Sequence, residues 1–216
     1  MIIRWLGHAC FLITSETGVR VLIDPFDASV GYKIPAVEAD VVLTTHDHSD
    51  HNAINVVKGQ PQVIKGSGQH QAKGISFTGV LSFHDTTAGS QRGRNTIFVF
   101  ELDGVRVCHL GDLGHVLEHK QAGHIGPVDV LFIPVGGVFT IGARDADKVI
   151  EHLRPRIVIP MHYKTPAINL PIEPVDKFLA NKPNVQRLDS NELTITSEQL
   201  PTETTVIVLT WIFTED

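Results

Sequence analysis

Short runs in which apolar and polar positions alternate dominate the chain, and stretches of helical period are few. Ile2 to Leu6, Cys10 to Thr14 and Val19 to Ile23 are β-type runs parted by Gly7-His8-Ala9 and by Glu16-Thr17-Gly18, which predicts an antiparallel opening meander. Residues 27–40 hold Gly31 and Pro35 without a helical period and read as a loop. After the strand Val41 to Thr45, Ser49 or Asp50 can cap a short helix through Ala53, Ile54 and Val57 to Lys58, before Gly59. Gln62 to Lys65 is another short strand, Gly66 and Gly68 loosen the chain, and Ile75 to Phe77 with Val80 to Phe83 reads as a strand pair. Thr96 to Leu102 and Val105 to Leu110 flank Asp103-Gly104, the signal of a type I′ hairpin. Residues 113–126 are mixed, Val128 to Val135 is a buried strand, and Ala143 to Leu153 puts Ala146, Val149, Ile150 and Leu153 on one helical face. Arg156 to Met161 is a strand, Pro174 to Asn181 a helix, and Val185 to Leu188, Glu192 to Thr196 and Thr204 to Trp211 are closing strands. No repeat, low-complexity tract or linker interrupts residues 1–216, so one domain is expected.

The ends of these strands carry the chemistry. Directly after Val41-Val42-Leu43, the run Thr44-Thr45-His46-Asp47-His48-Ser49-Asp50-His51 packs imidazoles and carboxylates at metal-ligand density. Neutral imidazole and carboxylate are the ligands that zinc and similar divalent ions accept. A run this short cannot surround an ion, so further ligands must come from elsewhere. Val80 to Phe83 delivers His84, Val105 to Leu110 delivers Asp112, and Ile157 to Met161 delivers His162. In sheets flanked by helices, loops at the carboxyl ends of strands gather on one edge, where ligands bind. Taken singly, each of these residues reads as an ordinary turn residue; jointly that reading leaves the 46–51 density unexplained.

Composition narrows the function without naming it. The 216 residues are 42% hydrophobic and 19% charged, enough to bury a substantial core. Lys and Arg number 18 against 24 Asp and Glu, a net charge of −6, which disfavours nucleic acid as a partner. Cys10 and Cys108 each sit in an apolar run and read as buried free thiols of a reducing compartment. No leader pattern and no membrane-length apolar segment is visible, so a cytoplasmic protein without membrane contact is expected.

With His46-Asp47-His48-Ser49-Asp50-His51 standing as HxHxDH, followed in order by His84, Asp112 and His162, the chain resembles the metallo-β-lactamase-fold hydrolases over roughly residues 1–165. Leu22-Ile23-Asp24-Pro25 and Leu110-Gly111-Asp112 resemble that family's early Asp-ending strand and its bridging-Asp strand. Trp5 to Phe11, Phe83-His84-Asp85 and Ile159 to Tyr163 are similar to a branch of small zinc-dependent hydrolases that includes ascorbate-phosphate lactonase-like proteins. The resemblance implies an α/β fold, a four-layer αββα sandwich, with two divalent metal ions, zinc or alternatively manganese, in the cleft. It assigns His46, His48 and His84 to the first ion, Asp50, His51 and His162 to the second, and Asp112 to both. Two cations about 3.5–4 Å apart make a bridging hydroxide available near neutral pH. Asp50 gains a second, catalytic role in orienting it.

Other candidates surround this set. His109 or His115 could replace His84, and His109 also reads as a buried support. Asp24 and Asp47 are candidates for holding a ligand's far ring nitrogen, and Asp47 reads as a spacer of the signature and not as a ligand. His8 is a candidate for supporting a ligand or touching substrate. Arg92 and Arg94 could receive a phosphate or carboxylate of an anionic substrate, as could Lys164, and Tyr163 could donate to a leaving oxygen. His70, His119, His124 and His152 read as bystanders. The leading expectation is a binuclear hydrolase cleaving a small ester, lactone or phosphoester. The alternatives are an RNA-processing nuclease of the same fold and a non-catalytic, metal-dependent binding protein.

Overall fold

Strands that bury both faces account for the long apolar runs of the sequence. The computed structural model describes residues 1–33 and 36–211, so Pro35 of the 27–40 loop and residues 212–216 lie outside the described residues. In chain order the strands are β1 (Ile2–Gly7), β2 (Cys10–Thr14), β3 (Arg20–Ile23), β4 (Val41–Thr44), β5 (Gln62–Lys65), β6 (Gly68–Ala72) and β7 (Ile75–Phe83). They continue as β8 (Arg94–Leu102), β9 (Val105–His109), β10 (Val130–Pro134), β11 (Ile157–Met161), β12 (Val185–Arg187), β13 (Glu192–Thr194) and β14 (Thr205–Val208). The helices are α1 (His119–Ile125), α2 (Ala143–Leu153) and α3 (Val175–Leu179).

One sheet has six strands in the order β13-β1-β2-β3-β4-β5, and the other has eight in the order β12-β14-β11-β10-β9-β8-β7-β6. Alternate residues of the first sheet serve different cores. Phe11, Ile13, Val21, Ile23, Val41 and Leu43 face the layer between the sheets. Cys10, Leu12, Leu22 and Val42 face outward into a second cluster with Phe26, Tyr32, Ile168 and Ile172. Among the described residues that outer face is closed by a 3₁₀ turn, Ala28–Val30, and by loops, whereas helix α1 lies against β7 of the second sheet and packs on α2, which in turn packs on α3. The result is the αββα sandwich architecture, two sheets face to face with the remaining elements outside. No helix among the described residues is long and apolar enough to cross a membrane.

Several local expectations need correction. The helix expected from residue 50 to Lys58 is a single 3₁₀ turn, Ile54–Val56, because the Ala53 N–H donates to Pro25 O at 2.9 Å and ties the segment to the loop after β3. The strand pair expected at residues 75–83 is one continuous strand, β7. Gly79 does not break it; a Cβ there would lie 2.3 Å from Gly66 O, so the glycine marks a close backbone approach. The loosened stretch after Gly66 is strand β6, and the mixed stretch 113–126 contains α1. The hairpin at Asp103-Gly104 has positive φ at both residues, 51° and 73°, as a type I′ turn requires. Cys10 and Cys108 are buried free thiols.

Candidate metal centre

Strand direction brings the candidate residues to one rim of the sandwich. β3, β4 and β5 are parallel, as are β9, β10 and β11. Two antiparallel steps return β1 to the direction of β3, and two more return β7 to that of β9. The carboxyl ends of β1, β3, β4, β7, β9 and β11 therefore lead to His8, Asp24, the 46–51 run, His84, Asp112 and His162. Three of these residues turn the chain sharply in the left-handed region, with φ of 52° at His8, 50° at Asp24 and 50° at His162. Outside glycine such conformations cost about 1–3 kcal/mol each and concentrate at functional sites.

Asp112 Oδ2 is the hub. His84 Nε2 lies 3.0 Å from it, His51 Nε2 3.2 Å, His162 Nε2 3.3 Å and His46 Nε2 3.9 Å. Potential ligand atoms of His46, His48 and His84 lie within 4.8 Å of one another, as do those of His8, Asp50, His51 and His162, and those of His46, His51 and Asp112. The sequence-derived set thus falls into two adjacent groups joined by Asp112, with His8 added to one of them.

Hydrogen bonds around Asp24 set the tautomers. Its buried carboxylate accepts the Thr45 N–H, the Thr45 hydroxyl and the His51 Nδ1–H, each at 2.8 Å. Since that hydroxyl gives its proton to Asp24, its oxygen accepts from His46 Nδ1, 3.0 Å away. Both rings then turn Nε2 lone pairs toward the centre, where that of His46 accepts from His48 Nδ1 at 3.1 Å and that of His51 has no donor. A lone pair facing a carboxylate oxygen at 3.2 Å is repulsive unless positive charge lies between them. His51 Nε2 and Asp112 Oδ1 are also buried without a hydrogen-bond partner. The cluster is short of cationic charge, and its imidazole and carboxylate donors fit divalent ions.

Proton affinities show the same shortage. Burial favours neutral imidazole at His51 and His84, yet Asp112, joined by Asp24 at His51, raises both pKa values. Burial opposes ionisation of Asp112, but His162 and His51 hold its carboxyl well below the usual range. His46 is pushed down to about 3 by burial and by His51, and so stays neutral. Burial, with His162, likewise lowers His8 to about 4. Neutral His8 presents Nε2 to Asp50 Oδ2 at 3.2 Å, and its other ring nitrogen is buried and unpartnered. Burial would raise the Asp50 carboxyl, but this hydrogen bond and the charge of His51 hold it low.

The remaining candidates separate cleanly. His109 Nε2 donates to Ala9 O at 2.9 Å and its Nδ1 accepts the Gly111 N–H at 3.1 Å, so neither nitrogen is left for an ion. His115 accepts the Phe83 N–H through Nε2 at 3.3 Å and uses Nδ1 on Val116 O at 2.9 Å; it precedes α1 and shares no helical face with His119. Asp47 points into solvent and binds Lys65 Nζ at 3.2 Å. Lys164 is spent on the carbonyls of Ile168 and Leu170, and Tyr163 is buried against Trp5 with ring centres 5.4 Å apart. His119 and His152 pack on each other at 5.7 Å, away from the centre. Arg92 lines a cleft of about 270 Å³ together with His48, Asp50, His84, Asp112 and His162, and its guanidinium lies 5.4 Å from the Phe139 ring centre. Arg94 is exposed and lines a neighbouring chamber instead.

Three supports escaped the sequence reading. Thr45 relays Asp24 to His46. Buried Asn95 accepts the Asp112 N–H at 3.0 Å and donates to Leu110 O at 2.8 Å, which fixes the turn that carries Asp112. Asp85 accepts N–H bonds from Thr87, Gly89, Gln91 and Arg92 and thereby holds the loop over the cleft. A polar residue directly flanking a ligand candidate was the available signal for Thr45 and Asp85. Asn95 gave none, since it stands just before the strand expected from Thr96 and next to no ligand candidate.

Two face-to-face sheets with adjacent His/Asp clusters at their strand ends define a binuclear metal-dependent hydrolase of the metallo-β-lactamase fold, acting on small substrates. The chain belongs to the β-lactamase superfamily domain family, which residues 2–162 match, and within it to the UPF0173 metal-dependent hydrolases. It is 32% identical to the UPF0173 metal-dependent hydrolase of Thermococcus onnurineus, over 88% of this chain and 97% of that protein. It is 42% identical, with a TM-score of 0.82 over 96% of this chain and 97% of the other, to a Thermotoga maritima protein described as a Zn-dependent hydrolase of the metallo-β-lactamase superfamily. A metallo hydrolase from Ignicoccus hospitalis, 23% identical over 82% of this chain and 88% of its own with a TM-score of 0.62, shares the fold.

Proposed function

We propose that the protein hydrolyses a small anionic ester, lactone or phosphoester, with His46, His48 and His84 holding one zinc ion, Asp50, His51 and His162 a second, and Asp112 shared. The convergence of four imidazole nitrogens on Asp112 Oδ2 within 3.9 Å is the observation that carries this reading. When bound, the ions supply positive charge that acidifies water and stabilises the oxygens of the reacting group. His84, rather than His109 or His115, completes the first group, because the latter two spend both ring nitrogens on the protein.

The chain's own residues do the rest. Asp24 and Thr45 keep His46 and His51 in the tautomers that face the centre. Asp50, kept ionised and oriented by His8, accepts a hydrogen bond from the attacking water and aligns it. Arg92 lies at the cleft wall, where a guanidinium can pair with an anionic part of substrate. The 42% identity to a protein described as a Zn-dependent hydrolase favours zinc over manganese. Trp5 to Phe11 and Phe83-His84-Asp85 favour lactone opening, as in the ascorbate-phosphate lactonase-like branch, over phosphodiester cleavage. Continuity of the inter-sheet core from Met1 to Leu209 supports one domain over the described residues. The two buried free thiols support a reducing, cytoplasmic location, which recovery of the protein outside the cytosol on cell fractionation would contradict.

A panel of lactones, phosphodiesters and thioesters, assayed with zinc and with manganese, tests the proposal. Turnover of at least one class is expected, with a loss of about 10²-fold or more in Asp50→Ala. Metal-loaded protein that turns over none of them would point instead to a binding protein.

A further inference from the structure

The loop that follows β10 is held in a conformation its sequence resists. Val138 has a φ of 60°, and the Phe139 N–H donates to Gly137 O across it at 2.6 Å. That is a γ-turn of positive φ, the rare and strained hand, and a β-branched residue is an outlier there. Glycine adopts such a φ without steric cost, as Gly137 does at 62°. The valine side chain is 55% exposed, the highest value among the large apolar side chains of the described residues, so its burial does not offset the strain. Its neighbour Phe139 lines the metal cleft of about 270 Å³, where Phe139 and Leu170 are the two apolar residues among Gln91, Arg92 and the candidate ligands. Leu170 comes from the adjoining loop. The Glu173 N–H donates to Gly136 O at 2.8 Å and ties the two loops together, while Lys164 Nζ donates to Ile168 O and, at 3.1 Å, to Leu170 O. The polar cleft therefore carries one firmly held apolar corner, with the Arg92 guanidinium 5.4 Å from the Phe139 ring centre.

We infer that Val138, Phe139 and Leu170 form an apolar wall that receives a hydrocarbon arm of the substrate and selects for it, while the scissile group lies at the metal centre. The inference rests on the hydrolase reading above and names a feature of its substrate. Backbone strain of this kind persists where the surrounding structure holds it in place, and it gathers at ligand clamps. Here it sets apolar side chains beside a cluster of imidazoles and carboxylates. Hydrocarbon is the chemistry such a wall favours, because each methylene it removes from water adds to binding. A hydroxylated arm gains nothing there and loses its hydration. The guanidinium against the Phe139 ring puts a positive charge at the same corner, so an arm that is anionic at one end and hydrocarbon along its length satisfies both groups. A short alkanoate is the simplest molecule of that form.

Calorimetric titration of the zinc-loaded protein with hexanoate, and separately with acetate, tests this in wild type, Phe139→Ala and Val138→Gly, with zinc content and Tm measured alongside. Wild type is expected to bind hexanoate at least about tenfold more tightly than acetate. In Phe139→Ala that ratio is expected to drop below about threefold at unchanged zinc content. Val138→Gly separates contact from support, because it removes the strain together with the side chain. Hexanoate affinity is expected to fall about threefold there while Tm holds or rises. Equal affinity for the two acids in wild type, an unchanged ratio in Phe139→Ala, or a Tm that falls together with hexanoate affinity in Val138→Gly overturns the inference. Should Phe139→Ala fail to fold, unchanged hexanoate affinity in Val138→Gly is the overturning result. Zinc-loaded protein that prefers hexanoate through Phe139 yet hydrolyses no ester keeps the wall and defeats the hydrolase reading. Ester hydrolysis indifferent to acyl length in both wild type and Phe139→Ala does the reverse.

Discussion

At the scale of single residues, Asp24 controls the centre without entering it. Three hydrogen bonds of 2.8 Å lock its carboxylate against Thr45 and His51, and through the Thr45 hydroxyl it also fixes His46. Asp24→Asn keeps the shape but puts an amide where a proton must be accepted. Zinc affinity is expected to fall about 10–100-fold with the fold intact, read by competition with a chromophoric chelator; unchanged affinity would show that the tautomers are set elsewhere. Much of this layer was legible from sequence, because HxHxDH is local and Asp24 follows an apolar run. Thr45 and Asn95 were not, since their importance comes from partners distant in sequence: Asp24 is 21 residues from Thr45, and Asp112 is 17 from Asn95.

At the scale of elements, strands aim the candidate ligands and glycines let their turns pack. A Cβ on Gly136 would lie 2.2 Å from His162 O, and one on Gly114 2.3 Å from the His84 carbonyl carbon. Neither position has positive φ, so the constraint is backbone proximity. Gly136→Ala must displace the His162 peptide, and a loss of about 1–3 kcal/mol in urea unfolding together with weaker zinc binding is expected; wild-type stability and affinity would contradict the close packing. Strands with buried faces were readable because period two and chain breaks agree there. The elements that were missed lack that agreement. β6 reads Gly68-Gln69-His70-Gln71-Ala72 and buries only Ala72, and α1 buries only Ile125 and relies on the Glu118–Gln121 capping box. The expected helix after Asp50 fails because a tertiary bond, Ala53 N–H to Pro25 O, overrides a weak local signal.

For the whole molecule, folding and metal binding are linked through protons. His51 and His84 have raised pKa values in the metal-free fold, so their protons stabilise that fold at low pH, and this contribution is lost as pH rises through the raised values. Ions held by these imidazoles as proposed would displace the same protons and therefore bind more tightly as pH rises. The zinc-dependent increment in Tm is expected to grow from pH 5 to pH 8; an increment independent of pH would mean that these imidazoles are not displaced by the ion. The most direct measurement is the number of ions each chain retains, determined by elemental analysis after zinc loading and dialysis. About two per chain is the expected result for paired groups sharing one carboxylate. One or none would contradict a binuclear centre built on Asp112.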